Sequence, residues 1–232
     1  MSNILEIEDL LKKYYKKEVI SDLNLNVEEG CVLGILGPNG HGKTTLLNVI
    51  AGLLKPESGS VKIDGKEVGE KTKEIVSYMQ EKNIIPKWMK VKDIIEFYRD
   101  FYKDFDNEEM ERLLKFMNLN KEMKSNNLSK GMCEKLALSL TLSRRSKLYI
   151  LDEPISGVDP VTREKIIDCI LDRIDGNISM IITTHYVNEV EKILDKVVFL
   201  RDGVIVEQGN VDALRGKYND SLDGIYRRIF TE

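Results

Sequence analysis

The segment Gly37-Pro38-Asn39-Gly40-His41-Gly42-Lys43-Thr44 constrains this chain more than any other. It fits the phosphate-loop pattern G-x-x-x-x-G-K-[ST], which needs a buried strand before it and a helix after it. Both flanks comply. Residues 31–36 are an apolar run of strand length, and Leu46, Leu47, Ile50, Leu53 and Leu54 recur at helical spacing beyond the loop. The glycines let backbone N–H groups turn inward onto phosphate oxygens, and the helix N-terminus adds partial positive charge. Lys43 is then placed to reach β- and γ-phosphates, and the Thr44 hydroxyl to ligate Mg²⁺. The His41 ring either approaches phosphate or points to solvent.

Bulk properties narrow the class. The chain of 232 residues is long enough for a packed core, and 35 basic against 39 acidic side chains leave a net charge of −4 with both signs interspersed. No nucleic-acid surface is expected from that balance. Cys31, Cys133 and Cys169 show no C-x-x-C spacing, which points to reduced thiols of a cytosolic protein rather than a disulfide frame or zinc site. Glu6, Glu8 and Asp9 interrupt any N-terminal apolar segment, so a signal peptide is not expected. No apolar run approaches the ~20 residues that cross a bilayer, and the chain is expected to be soluble by itself.

The first forty residues read as strands, with Val19, Leu23, Leu25 and Val27 alternating with polar neighbours. Upstream, Lys13-Tyr14-Tyr15-Lys16-Lys17 is a basic loop whose tyrosines either cap a strand edge or stack on a flat base. Short strands are expected at 60–64 and 75–79. From about Ile84 to Arg145 the periodicity is helical: Val91, Ile94, Ile95, Tyr98, Phe101 and Tyr102 share one stripe, and Met110, Leu113, Leu114 and Met117 another. Leu136, Ala137 and Leu140 continue a third helix over 129–145. Strands return at 147–151, 178–183 and 196–200. Between the first two lies a helix capped by Asp159, with Pro160 first and Ile167, Ile170, Leu171 and Ile174 on one face. Arg201-Asp202-Gly203 reads as a hairpin turn into 204–207. A last helix, capped by Ser221, groups Leu222, Ile225, Tyr226 and Ile229.

Two further stretches carry chemistry. Leu148-Tyr149-Ile150-Leu151-Asp152-Glu153 describes a buried strand that delivers two carboxylates at its C-terminal end, where ligands collect in open α/β sheets. Asp152 suits a magnesium site reached through its water shell, and Glu153 suits the base that orients and deprotonates water. Ser129 opens the helix at 129–145; with Gly131 it is either a simple cap or a second anion site.

Phosphate loop, helical insert, L-S-x-G, strand ending in Asp-Glu, Ser156-Gly157-Val158-Asp159-Pro160 and strand ending in Thr184-His185 follow one another in order. That series, covering nearly the whole chain, resembles the nucleotide-binding subunit of ATP-binding cassette transporters. The resemblance implies an α/β fold, a P-loop NTPase core with a RecA-like mixed sheet, an antiparallel β subdomain and a helical insert. It implies one ATPase domain over 1–232, with 1–83 and 146–232 as core and 84–145 as the helical subdomain.

The resemblance also implies roles. Tyr14, Gly37, Pro38, Asn39, Gly40, His41, Gly42, Lys43, Thr44 and Thr45 would bind ATP, with Tyr14 stacking on adenine through Tyr-x-x-x-x-Val/Ala-Leu, although Tyr15 stands where that pattern usually has glycine. Glu153, His185 and Lys43 would be catalytic, with His185 as the switch bridging γ-phosphate and Glu153. Thr44, Glu81 and Asp152 would serve Mg²⁺. Ser129, Lys130, Gly131 and Met132 would meet ATP held by the opposite subunit, and Asp159 would lie at the dimer seam. The departures are Lys130 and Met132 in place of glycine and glutamine, Glu81 at the Q-loop position with Gln80 one residue early, and His41 where a small residue is usual. Trp88 in Pro86-Lys87-Trp88-Met89, the 97–105 aromatic run and Ser-Lys-Gly-Met resemble bacterial drug- and metabolite-export cassettes of the bacitracin and acetoin type.

The implied function is an ATPase that uses ATP and Mg²⁺, pairs with a second copy or a paralogue, and powers transport, in the export direction, through a separate membrane-spanning permease. It would sit in the cytoplasm against the inner face of the membrane, with no nucleic-acid partner. Ile84, Ile85, Trp88 and Met89 either receive a short helix of that permease or pack into the core. A soluble cassette acting on ribosomes or nucleic acid is the alternative, set against one cassette, no heptad run and an acidic balance. A GTPase would need Asn-Lys-x-Asp, which is absent.

Overall fold

The computed structural model describes residues 2–81, 85–174 and 178–231. Two long antiparallel strands open the chain, β1 (Asn3–Tyr14) and β2 (Lys17–Glu28), turning at Tyr15-Lys16. β3 (Val32–Leu36) leads into α1 (Lys43–Ile50), and β4 (Ser58–Ile63) pairs with the short β5 (Lys66–Glu67). After α2 (Glu70–Lys73) and β6 (Val76–Met79) come α3 (Val91–Phe101), α4 (Asn107–Met117) and α5 (Lys130–Leu142). The second half alternates β7 (Leu148–Asp152), α6 (Pro160–Arg173), β8 (Ser179–Thr184), α7 (Val187–Val190) and β9 (Lys196–Arg201). It closes with β10 (Val204–Asn210), α8 (Val211–Tyr218) and α9 (Leu222–Thr231).

Among the described residues the strands form two sheets. One is antiparallel in the order β2-β1-β4-β5; the other runs β10-β9-β3-β8-β7-β6, parallel from β9 to β6 with β10 antiparallel at the edge. Successive residues of the parallel strands point to opposite faces, and both faces are buried, so these strands read as unbroken apolar runs. Leu33, Ile35, Ile150, Ile181 and Val198 face a core shared with α1 and the antiparallel sheet. Val32, Leu36, Tyr149, Leu151, Ile182 and Phe199 face the core built with the helices. α1, which starts at the phosphate loop, is packed from both sides through Leu46, Leu47, Val49 and Ile50.

The structure trims three of the expected apolar stripes. α1 stops at Ile50 because Gly52 turns left-handed at φ 69° and the N–H groups of Leu53 and Leu54 both close onto the Asn48 carbonyl. Leu53 is thereby exposed. Phe101 faces solvent and stacks on the exposed Phe97, while Tyr98 and Tyr102 pack on the core. On α6, Ile166 takes the inward position expected of Leu171, which is exposed. The caps stand as expected: Ser129 accepts from Met132 N–H at 3.2 Å, Asp159 from Thr162 N–H at 3.0 Å, and Ser221 from Gly224 N–H at 3.1 Å. Asp202 and Gly203, at φ 49° and 79°, make the expected hairpin turn.

The insert, expected over 84–145, holds α3 to α5 and is joined to the core strand β6 by the Ser77 hydroxyl, which donates to the Thr141 carbonyl at 2.8 Å, and by a buried cation. Arg144, 4% exposed, donates to both Asp104 carboxylate oxygens at 3.1 and 3.0 Å and to the Val76 and Glu74 carbonyls at 2.6 and 3.0 Å. The Tyr102 ring lies 4.0 Å from its guanidinium. Removing one member of such a buried network strands the rest, so Arg144→Met is expected to lower unfolding free energy by about 3 kcal/mol. Denaturant unfolding measures this; a loss under ~1 kcal/mol would make the network incidental.

Candidate active site

At the end of β3 the chain enters a loop whose glycines answer to close contacts. A Cβ on Gly37 would collide with the Leu200 carbonyl oxygen. Gly42 is left-handed at φ 100°, and a Cβ there would stand 2.9 Å from the Val19 carbonyl. Lys43 begins α1 with its side chain only 5% exposed and folded back over the loop. Its ammonium donates to the Gly37 carbonyl at 2.7 Å and the Pro38 carbonyl at 3.2 Å, and lies 3.2 Å from Glu153 Oε1. A cavity of about 540 Å³ opens beside it. Asn39, Gly40, Gly42, Lys43, Thr44 and Thr45 form its floor, and Gln80, Glu81 and Glu153 face them. That volume suits a nucleotide-sized ligand.

β7 ends in the two acids, of which Glu153 lines this cavity and Asp152 is its buried neighbour. Asp152 is fully buried; its Oδ1 accepts from Thr183 Oγ1 at 2.6 Å, and its Oδ2 has no hydrogen-bond partner among the described residues. Burial raises its pKa; the Thr183 and Thr44 hydroxyls oppose the rise, and the Glu81 and Glu153 charges add to it. A dry carboxylate with a free oxygen, beside two further carboxylates, is a setting that a cation relieves. No group of three or more His, Cys, Asp or Glu among the described residues could hold a metal unaided. The orphaned Asp152 oxygen is of the kind that suits Mg²⁺, which is usually held by one or two carboxylates together with phosphate oxygens and water.

Glu153 follows in a left-handed conformation, φ 50°, held by its N–H donating to Thr183 O at 3.1 Å and Thr183 Oγ1 at 3.0 Å. Such backbone costs of order 1–3 kcal/mol in a non-glycine residue and gathers at functional sites. Here it aims the carboxylate between two bases. Oε2 meets His185 Nδ1 at 2.9 Å, while Oε1 faces the Lys43 ammonium at ion-pair distance without hydrogen-bond alignment. The His185 ring packs on Tyr186 at 4.1 Å, and Arg163 covers Tyr186 at 4.3 Å. Lys43, Glu153 and His185 thus stand in series.

The other candidate residues lie elsewhere. None of residues 129–132 lines this cavity. Ser129 and Lys130 are exposed, Lys130 lies across Gly157, and a Cβ on Gly131 would stand 3.7 Å from the Thr162 methyl. Met132 packs partly buried on the helix-side core. Asp159 is exposed, and its carboxyl is held below the usual range by the Thr162 hydroxyl and N–H. Tyr14, 44% exposed, ends β1 with the Lys12 ammonium 5.8 Å from its ring; it is Val19 of this hairpin that lines the cavity. Trp88 is 80% exposed, whereas Ile85 and Met89 rest on the core and Ile84 lies outside the described residues. Leu53, Phe101, Tyr102, Gln80 and Arg144 line a second cleft of about 740 Å³.

His41 takes neither course that the sequence left open. Its Nδ1 accepts from Asp202 N–H at 3.0 Å, and its ring stands edge-on to Phe230 at 6.3 Å. Besides Val19, the wall residues Asn48 and Tyr78 are absent from the sequence-based set. Asn48 accepts from the Tyr78 hydroxyl at 3.2 Å, and both line the cavity. Burial, with the Asp152 charge, pushes the Tyr78 hydroxyl above the usual phenol range. Asn48 lies one helical turn past Thr44, a spacing that would have placed it on the same face.

Comparison with known proteins agrees with this architecture. Residues 20–156 match the ABC transporter family. The ABC transporter ATP-binding protein YtrB of Bacillus subtilis is 30% identical over 93% of this chain and 75% of its own length. The bacitracin transport ATP-binding protein BcrA of Bacillus licheniformis is 28% identical over 96% of this chain and 75% of its own. A solved ATP-binding subunit of an ABC transporter superposes with a TM-score of 0.87 at 25% identity, covering 97% of this chain and 98% of that one.

Proposed function

Because the chain belongs to the ABC transporter ATP-binding family, we propose that it binds ATP with Mg²⁺ at Gly37–Thr44 and hydrolyses it to drive export through a separate membrane permease. The observation that carries this reading is the convergence of Lys43, Glu153 and His185 with the free oxygen of Asp152 beside the loop cavity. Backbone N–H groups of residues 39–43 and the start of α1 would cradle the phosphates, with Asn39, Gly40, Thr44 and Thr45 on the wall. Lys43 would exchange its loop carbonyls for phosphate oxygens. Thr44, Asp152 and Glu81 would hold Mg²⁺, which when bound offsets phosphate charge. Glu153 would take the proton of the attacking water, and His185, bonded to its other oxygen, would keep the carboxylate aimed.

Positioning and charge stabilisation dominate phosphoryl transfer, so a site lacking donors on one side of the γ-phosphate is incomplete. Ser129, Lys130, Gly131 and Met132 are set apart from their own chain's cavity, and the exposed Ser129 and Lys130 can face another's. We therefore assign the working unit to a pair of ATPase chains, two copies or one copy and a paralogue, with Asp159 at the seam. Tyr14 would stack on adenine from the edge of the β1–β2 hairpin.

Among the described residues no helix is long and apolar enough to cross a membrane, and the crossing is assigned to the permease. Phe101 lines the second cleft with the exposed Phe97 stacked on it, Trp88 is exposed as well, and a short cytoplasmic helix of the permease would dock on this apolar surface. The ATPase would then lie on the cytoplasmic face of the membrane. Similarity to the bacitracin transport protein supports the drug- and metabolite-export subgroup. In co-sedimentation, the chain is expected to pellet with membranes only when its permease is co-expressed. Equal pelleting without the permease would remove that partner from the account.

A further inference from the structure

His41 stands in the middle of the phosphate loop, yet its ring is absent from the cavity wall and is bound on the loop's other side. Two contacts run from this residue into one turn. Nδ1 accepts from Asp202 N–H at 3.0 Å, and the His41 carbonyl accepts from Gly203 N–H at 3.1 Å. Asp202 Oδ1 also lies 3.3 Å from Nδ1, so either ring tautomer ties His41 to Asp202. The turn is itself anchored. The Gly203 carbonyl accepts from Ser21 N–H at 3.2 Å, and a Cβ on Gly203 would strike the Val19 carbonyl.

The C-terminal helix completes the enclosure. Phe230 of α9 meets the His41 ring edge-on at 6.3 Å, and its Cζ lies 3.8 Å from the place of a Cβ on Gly37. Tyr226 packs against Phe230 at 4.6 Å, and the Arg201 guanidinium lies 5.5 Å from its ring. One aromatic side chain therefore stands edge-on to His41 and close to where a Cβ on Gly37 would be, while the β9–β10 turn holds the loop at His41 itself.

We propose that His41 is a positioning residue for ATP: its δ-nitrogen pins the crest of the phosphate loop to the Asp202-Gly203 turn, and Phe230 closes the clamp from α9. The loop N–H groups then face phosphate already ordered, and binding does not bear the cost of ordering them. This inference rests on ATP being held by residues 37–44. It differs from a role as phosphate ligand, in which the ring would act through Nε2 on the cavity side.

The side-chain reach of two amides separates these roles. Asparagine places its amide near the δ-position of histidine and can bond to Asp202; glutamine reaches the ε-position. Steady-state ATP hydrolysis is measured for wild type, His41→Ala, His41→Asn, His41→Gln and Phe230→Ala. His41→Ala is expected to raise the KM for ATP about five- to tenfold, as loss of one positioning hydrogen bond does, with a smaller change in kcat. His41→Asn should return KM to within about twofold of wild type, and His41→Gln should not. Phe230→Ala should shift KM in the same direction as His41→Ala and, being at a partly exposed position, keeps the test open if His41→Ala misfolds. Rescue by glutamine and not asparagine, or an unchanged KM in both alanine variants, would overturn the proposal. A wild-type chain that binds no ATP by calorimetry would instead remove the reading of residues 37–44, and this inference with it.

Discussion

Glu153→Gln is expected to keep ATP affinity while turnover falls by ~100-fold or more. The amide is close to isosteric, so the left-handed backbone, the bonds from Glu153 N–H to Thr183 and the contact with His185 can persist. What goes is the basic oxygen that would take the proton of water. Removing a negative charge 3.2 Å from the Lys43 ammonium also leaves that ammonium freer for phosphate, so affinity should hold or tighten. Phosphate release and calorimetry on the same preparation check both halves. Near wild-type hydrolysis would eliminate Glu153 as the base.

Lys43→Ala has the opposite profile: nucleotide binding itself is expected to be lost, with affinity down ~100-fold or more, since a buried ammonium on phosphate is among the stronger hydrogen-bonding groups in proteins. In the wild-type chain the Gly37 and Pro38 carbonyls and Glu153 surround this cation. Without it they present only negative partial or full charge to an incoming triphosphate. The two variants therefore separate grip from chemistry. Unchanged affinity of Lys43→Ala by calorimetry would contradict the loop assignment.

The loop, its strand and its helix were legible because the phosphate-loop pattern ties residue types to a local backbone shape. The same holds for the caps at Ser129 and Asp159 and for the Asp202-Gly203 turn, where short-range hydrogen bonding or positive φ selects the residue. Less legible were features set by distant packing. Phe101 shares a helical stripe with Tyr98 and Tyr102, but only the path of α4 and α5 decides that it faces solvent. α2 and α8 span four and eight residues and are too short for periodicity to mark. The engagement of His41 with Asp202 and Phe230 joins positions more than 160 residues apart, so no local pattern announces it. Glu153 was visible as a residue type, whereas its left-handed backbone, which points it at both Lys43 and His185, emerged only from the pairing of β7 with β8.

In the proposed arrangement Gly37–Thr44 is half of a site, completed by the Ser129–Met132 segment of a second ATPase chain. The most direct test is specific ATPase activity against chain concentration, alone and with any paralogous ATPase present. Activity per chain is expected to fall towards zero on dilution and to return when the second chain is supplied. Activity per chain that stays constant at every dilution, from a particle of one 26.6 kDa chain, would contradict it.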